Sequence, residues 1–156
     1  MDLLWNLFKT VSPSQWLKNV ALFAPLVFSG LLFTDDLFLT SLKAVIIFTI
    51  LTSGVYIFND IIDIKADRLH PFKKRRPIAS GKVPLPIALF AGVLFATISL
   101  YLSITINYFF FWACLIYILV QIGYTLKFKK IPIVDVLTIA SGYILRVYAG
   151  GLAIGA

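Results

Sequence analysis

The sequence predicts an all-α integral membrane protein, a bundle of about five transmembrane helices. Three observations carry this. Apolar residues make up 60% of the chain and charged residues only 13%, about half the charged share of an ordinary soluble domain. Apolar stretches of roughly twenty residues recur, the length that spans a bilayer core as a helix. The cations collect in every second loop, the bias that orients a multi-pass protein.

The elements follow in order. The first apolar segment runs from about Pro13 to Phe33, with Ser12 and Pro13 as N-cap and first-turn pair. Pro25 lies inside it and kinks it, which membrane bundles tolerate. Thr34-Asp35-Asp36 is a polar turn with no basic residue. The second segment runs from about Leu37 to Ile62 and continues as a helix past the membrane surface. A basic loop follows, His70 to Lys82. The third segment starts near Pro84 and Pro86 and ends near Thr105. Ile106-Asn107 is a tight, uncharged turn. The fourth runs from about Tyr108 to Leu126, and Lys127-Phe128-Lys129-Lys130 is a second basic loop. Pro132 opens the fifth, which is still apolar at Ala156, so the sequence reads as the first part of a longer protein. Met1-Asp2-Leu3-Leu4-Trp5 lacks the basic leader and cleavage site of a signal peptide.

A net charge of +7 raises the question of nucleic acid, and the placement of the charges answers it. Seven of the 14 Lys and Arg fall between Lys65 and Lys82, three between Lys127 and Lys130, and two at Lys9 and Lys18. All these regions share one side of the membrane in this topology. The positive-inside bias accounts for them without a nucleic acid partner, and it places them in the cytoplasm. Cys114 sits alone in an apolar run and reads as a small packed hydrophobe. His70 is the single histidine, which excludes a His-rich zinc site.

The chemistry concentrates at Asn59-Asp60-Ile61-Ile62-Asp63-Ile64-Lys65-Ala66-Asp67. The chain has no Glu. Asp60, Asp63 and Asp67 stand at i, i+3 and i+7, within roughly 60° of arc on a helix. Tyr56 and Ser53 extend that face toward the membrane, and Asn59 lies at its edge, neighbour to Asp63. Like charges in a row repel, and ionised groups beside an apolar segment are costly. A hard divalent cation with oxygen ligands compensates both. Magnesium typically takes one or two carboxylates together with substrate phosphates. The bland alternative is a solvated helix end whose acids pair with the adjacent basic loop.

That loop, His70-Pro71-Phe72-Lys73-Lys74-Arg75-Arg76-Pro77-Ile78-Ala79-Ser80-Gly81, sets four consecutive cations beside three carboxylates. Arg offers phosphate a planar fork and Lys a point charge. A purely topological role for these cations is the competing reading. In the fifth segment Asp135, Thr138, Gly142 and Arg146 fall near one face. Arg146 would lie roughly 20 Å into the membrane, and a membrane Arg is a candidate phosphate ligand or the partner of an acid. Ser141, Gly142, Ala149, Gly150 and Gly151 read as close helix packing.

Asn59-Asp60-x-x-Asp63-x-x-x-Asp67 on the second membrane helix, followed by Arg76-Pro77-Ile78-x-x-Gly81, resembles the first aspartate-rich motif and the Arg-Pro element of the UbiA prenyltransferase superfamily. The resemblance covers the whole chain. It implies an all-helical fold of nine membrane helices, of which these residues form the N-terminal part of one transmembrane domain. It also implies two aspartate-rich motifs that hold Mg2+ around a donor diphosphate. Only the first motif is present here, so the fragment 1–156 alone is expected to be inactive. Gln15-Trp16-Leu17-Lys18-Asn19, His70-Pro71-Phe72-Lys73 and Ile131-Pro132-x-x-Asp135-x-x-x-Ile139-Ala140-Ser141-Gly142 resemble one branch, the decaprenyl-phosphate phosphoribosyltransferases.

That branch implies transfer of a 5-phosphoribosyl group from phosphoribosyl diphosphate to a polyprenyl phosphate at the cytoplasmic side of the inner membrane. On this reading Asp60, Asp63 and Asp67 are the catalytic and metal-binding residues. Asn59, Lys73, Arg75, Arg76, Lys127, Lys18, Asn19, Arg146 and Tyr56 are the candidate substrate contacts. The partners are a polyprenyl lipid, a diphosphate donor and the bilayer. Two other functions fit the same residues: an aromatic prenyltransferase of the superfamily with a polyprenyl diphosphate donor, and a non-catalytic transporter or scaffold.

Overall fold

The computed structural model describes residues 3–127 and 132–155, and the side chains of Pro132 and Asp135 are not described. The loop cations Lys129 and Lys130, the branch motif residue Ile131 and the Asp135 side chain therefore lie outside it. The described residues are helical, with no strand. A short helix α1, Leu3–Thr10, leads into a tightly wound segment, Pro13–Phe23, and a short helix α2, Ala24–Phe28. Then come α3 (Asp35–Ile62), α4 (Ile64–Leu69), a single turn at Lys73–Arg75, α5 (Leu85–Ile104), α6 (Tyr108–Leu126) and α7 (Pro132–Ile154).

Four described stretches are long and apolar enough to cross a membrane: Asp35–Ile62, Leu85–Ile104, Tyr108–Leu126 and Val136–Ile154. Large apolar side chains in mid-helix, such as Phe90 at 68%, Leu119 at 61% and Ile144 at 68% exposure, would be indefensible in water and suit lipid. The expectation of a multi-pass, all-helical membrane fold holds.

The first apolar segment departs from expectation. It is not one kinked helix from Pro13 to Phe33 but the tight segment and α2, each too short to span. The causes are local. Pro25 cannot donate a backbone hydrogen bond, and the N–H of Ala24 bonds three residues back, to Ala21. Gly30, at φ +74°, then turns the chain out of α2, with Leu31 N–H bonded to the Leu26 carbonyl at 3.2 Å. Ser12 holds the N-cap position in a left-handed conformation (φ 54°) and makes no side-chain cap bond.

Helix α3 is the axis of the bundle. Its Ala44, Ile47, Phe48 and Leu51 pack with Leu22, with Phe110, Cys114 and Tyr117 of α6, and with Ala149 and Ala153 of α7. Two glycines set how closely its neighbours approach. A Cβ on Gly54 would stand 3.1 Å from the Gly92 carbonyl oxygen of α5, and one on Gly150 would stand 2.1 Å from the Leu22 carbonyl oxygen. The small residues of α7 thus include a true backbone contact. At the far end Asn107 caps α6 by accepting from Phe110 N–H at 2.8 Å, and its amide donates to the Leu152 carbonyl of α7 at 2.8 Å.

At 28 residues, α3 is about 42 Å long, some 12 Å more than a hydrocarbon core. The Asp60 end is its C-terminal end. A second, smaller core lies at that end, where Ile57 meets Val11, Ile78, Val83 and Ala88. It anchors the basic loop to the helix end that carries the aspartates.

Candidate functional site

The helix does continue past Ile62, with a break. Asp63 sits at φ −85°, ψ 0° between α3 and α4. The hydrogen bonds from Asp63 N–H to the Asn59 carbonyl (3.0 Å) and from Asp67 N–H to the Asp63 carbonyl (2.8 Å) carry the helical spacing across it. Asp60 and Asp67 consequently remain on one face.

What joins them is Arg76. Its Nη1 donates to Asp60 Oδ1 at 2.8 Å and to Asp67 Oδ2 at 2.9 Å. Both carboxylates are nearly enclosed, Asp60 at 8% and Asp67 at 3% exposure. The acids do pair with the basic loop, as the bland reading supposed, but the helix end is buried rather than solvated. Asp63 is half-buried at the break. It and Lys73 both lie close enough to act on the charge of Asp60.

The loop presents Arg76 from a fixed backbone. Pro77 confines Arg76 to extended conformation, observed at φ −59°, ψ 144°. Beyond it Ile78, Ala79 and Val83 are buried, Val83 N–H bonds to the Pro77 carbonyl at 3.1 Å, and Arg68 Nε of α4 bonds to the Ala79 carbonyl at 3.0 Å. Lys73, Lys74 and Arg75 are exposed on the turn before it. Asn59 accepts from Thr125 Oγ1 of α6 at 3.2 Å. Lys127, exposed two residues further on, closes the same end of the bundle.

The donor chemistry fits magnesium: the available ligands are carboxylate and amide oxygens, and Asp60 and Asp67 already draw one cationic nitrogen between them. The three aspartates are not a ready-made metal centre, since among the described residues no three His, Cys, Asp or Glu side chains gather closely enough. One oxygen each of Asp60 and Asp67 remains outside the Arg76 bonds.

Asn19 and Arg146 belong to a different cluster, deeper in the bundle. Arg146, 4% exposed, donates from Nε to Asn19 Oδ1 (3.0 Å), from Nη1 to the Gly142 carbonyl (2.8 Å) and from Nη2 to the Tyr117 hydroxyl (2.8 Å). Phe48, Tyr117 and Tyr143 rings surround the guanidinium, and Tyr56 interacts with it electrostatically. Among the described residues it has no carboxylate partner. Asn19 donates in turn to Thr49 and Thr52. Thr52 precedes Asp60 by eight residues, about 12 Å along the helix. Lys18, half-buried beside Asn19, makes no ion pair among the described residues.

Sequence reasoning missed Arg68, Thr125 and Tyr117 as partners in these networks. Arg68 left a trace, one residue past the last aspartate. Thr125 and Tyr117 left none, because their partners are 66 and 29 residues away. It also missed an apolar cavity of about 720 Å3 between α1, the 13–23 segment, α3 and α5, with Phe8, Trp16, Ser53, Ile57 and Phe95 in its walls. The Trp16 indole N–H is satisfied by Ser53 at 3.1 Å, so the walls present hydrocarbon. Ile57 lies one turn from Asp60.

Comparison with known proteins gives consistent matches. The UbiA prenyltransferase family matches residues 11–156. Decaprenyl-phosphate phosphoribosyltransferase of Corynebacterium glutamicum is 35% identical over 154 residues, covering 96% of this chain and 46% of that protein. The Mycolicibacterium smegmatis protein of the same name is 37% identical over 158 residues, 97% of this chain and 49% of that protein. Digeranylgeranylglyceryl phosphate synthase of Sulfurisphaera tokodaii is 29% identical over 140 residues, 88% of this chain and 50% of that protein. The chain spans about half the length of the curated relatives it matches.

Proposed function

The chain belongs to the UbiA prenyltransferase family, and from that premise we propose that it supplies the donor-binding half of a membrane transferase. The reaction is transfer of a 5-phosphoribosyl group from phosphoribosyl diphosphate to a polyprenyl phosphate, decaprenyl phosphate in the relatives' name. The observation that carries the reading is the Asp60–Arg76–Asp67 arrangement, carboxylate oxygens and a phosphate-binding fork held together at the C-terminal end of α3.

In this reading Asp60, Asp63 and Asp67 hold Mg2+, with Asn59 at the edge of the set. The ion, when bound, neutralises the charge that develops on the leaving diphosphate. Arg76 grips that diphosphate, and Lys73, Arg75 and Lys127 add positive field from the exposed rim. The carbon left behind is oxocarbenium-like and needs a site free of water. The buried carboxylates and the small core beneath them exclude water on this side. Asn19 and Arg146, with Tyr117 and Tyr56, keep the 13–23 segment, α3, α6 and α7 in register, and Lys18 lies beside that clasp. The apolar cavity offers the polyprenyl chain a dry wall one turn from Asp60. The aspartate end faces the cytoplasm of the inner membrane.

The test is product identification. Supply the purified full-length enzyme that contains these residues with Mg2+, a polyprenyl phosphate and phosphoribosyl diphosphate, and examine the lipid fraction by mass spectrometry. A phosphoribosylated polyprenyl phosphate is expected. Turnover only of an allylic diphosphate with a lipid or aromatic acceptor would assign the chain to a prenyl-transferring branch, to which the Sulfurisphaera relative's name points.

A further inference from the structure

We propose that Asp60 and Asp67 are positioning residues for Arg76, and that the Asp60–Arg76–Asp67 unit is a preformed diphosphate site that does not need metal. This rests on the donor reading above and adds a second duty to two of its aspartates.

A guanidinium has five N–H donors in a fixed plane. Both hydrogens of Arg76 Nη1 are committed, one to each carboxylate. Nε and Nη2 make no hydrogen bond to the described residues, which leaves the edge that pairs with two phosphate oxygens side by side. The side chain is 36% exposed while its two anchors are 11% and 4% exposed. The anchoring acids are therefore inside, while part of the Arg76 side chain reaches solvent. Two separate helices grip the same nitrogen, which removes the rotation that a free Arg would lose on binding. The backbone under it is fixed by Pro77 and by the buried Ile78 and Val83.

Electrostatics alone predicts the opposite effect of these acids. Two carboxylates beside an anion repel it, so deleting either should tighten diphosphate binding if their sole duty is to hold metal. If they aim Arg76, deleting either should weaken it. The sign of the change separates the two cases.

The experiment measures inorganic diphosphate binding to the purified protein in detergent, with EDTA present, by isothermal titration. Asp60→Ala and Asp67→Ala are each expected to weaken binding about tenfold, the scale of one charge-assisted contact, and Arg76→Gln by at least as much. Asp60→Asn and Asp67→Asn retain an acceptor oxygen for Nη1 and are expected to stay within about threefold of wild type, which also controls for misfolding. Asp35→Ala, at the opposite end of α3, should not weaken binding. Unchanged or tighter binding by the two Ala variants overturns the proposal. So does a wild type that binds diphosphate only when Mg2+ replaces the EDTA, a result that would leave the metal-dependent donor reading standing. No binding with or without Mg2+ would remove both.

Discussion

Arg146 and Asn19 stand 127 residues apart in sequence and 3.0 Å apart in the bundle interior, the guanidinium Nε donating to the amide oxygen. With Tyr117 and Gly142 taking two further N–H groups, this contact ties the first and last described membrane elements to α6. The pair reads as a clasp.

Arg146→Ala should therefore act first on stability. It leaves Asn19 and Tyr117 without their partner in a dry interior, a loss on the order of 3 kcal/mol. Arg146→Lys keeps the charge but not the fork, and should fall between. Thermal unfolding in detergent checks the order wild type, Lys, Ala. Full stability together with lost donor binding would place Arg146 in substrate recognition instead.

Gly150→Ala should damage the fold more than Gly142→Ala. The new methyl would meet the Leu22 backbone at 2.1 Å in the first case, against side-chain atoms at 3.4 Å in the second. Backbone cannot swing aside as a side chain can, so a loss of about 1–3 kcal/mol or more is expected for Gly150→Ala. The same melting assay reads it, and equal stability of the two variants would mean that α7 does not ride against Leu22.

Topology is testable by labelling. In a Cys114→Ser background, place single cysteines at Ser80 and at Thr34, both exposed. A membrane-impermeant thiol reagent applied to intact cells should label position 34 and not position 80 if, as proposed, the basic loop faces the cytoplasm. The reverse pattern would invert the orientation.

Much of this architecture was legible in the residues. Pro84 and Pro86, Asn107 and Pro132 mark helix starts that the structure places at Leu85, Tyr108 and Pro132, because proline and a capping Asn act through their immediate neighbours. The aspartate spacing survived for the same reason, with α4 continuing the helical path after the break at Asp63. The first segment was misread because hydrophobicity registers its length but not the joint effect of Pro25, Gly30 and the inward amide of Asn19. The site was half legible. Asp60 and Asp67 were visible as a stripe, but their bonds to Arg76 span 16 and 9 residues and depend on where Pro77, Ile78 and Val83 dock the loop. Arg146 was visible as a membrane cation, while its partner Asn19 could come only from tertiary packing.

The most direct test of the account is diphosphate release from phosphoribosyl diphosphate, with Mg2+ and a polyprenyl phosphate, by the full-length wild-type enzyme that contains these residues and by its Asp60→Asn, Asp63→Asn and Asp67→Asn variants. Each variant keeps side-chain size and removes a negative ligand from a hard cation. Losses on the order of 10²–10³ in rate are expected at all three, the usual scale for one lost charge-stabilising contact. Asp35→Asn, at the opposite end of α3, should stay near wild type. Losses of about tenfold or less at all three aspartates, or a wild type that leaves phosphoribosyl diphosphate untouched, would contradict the account.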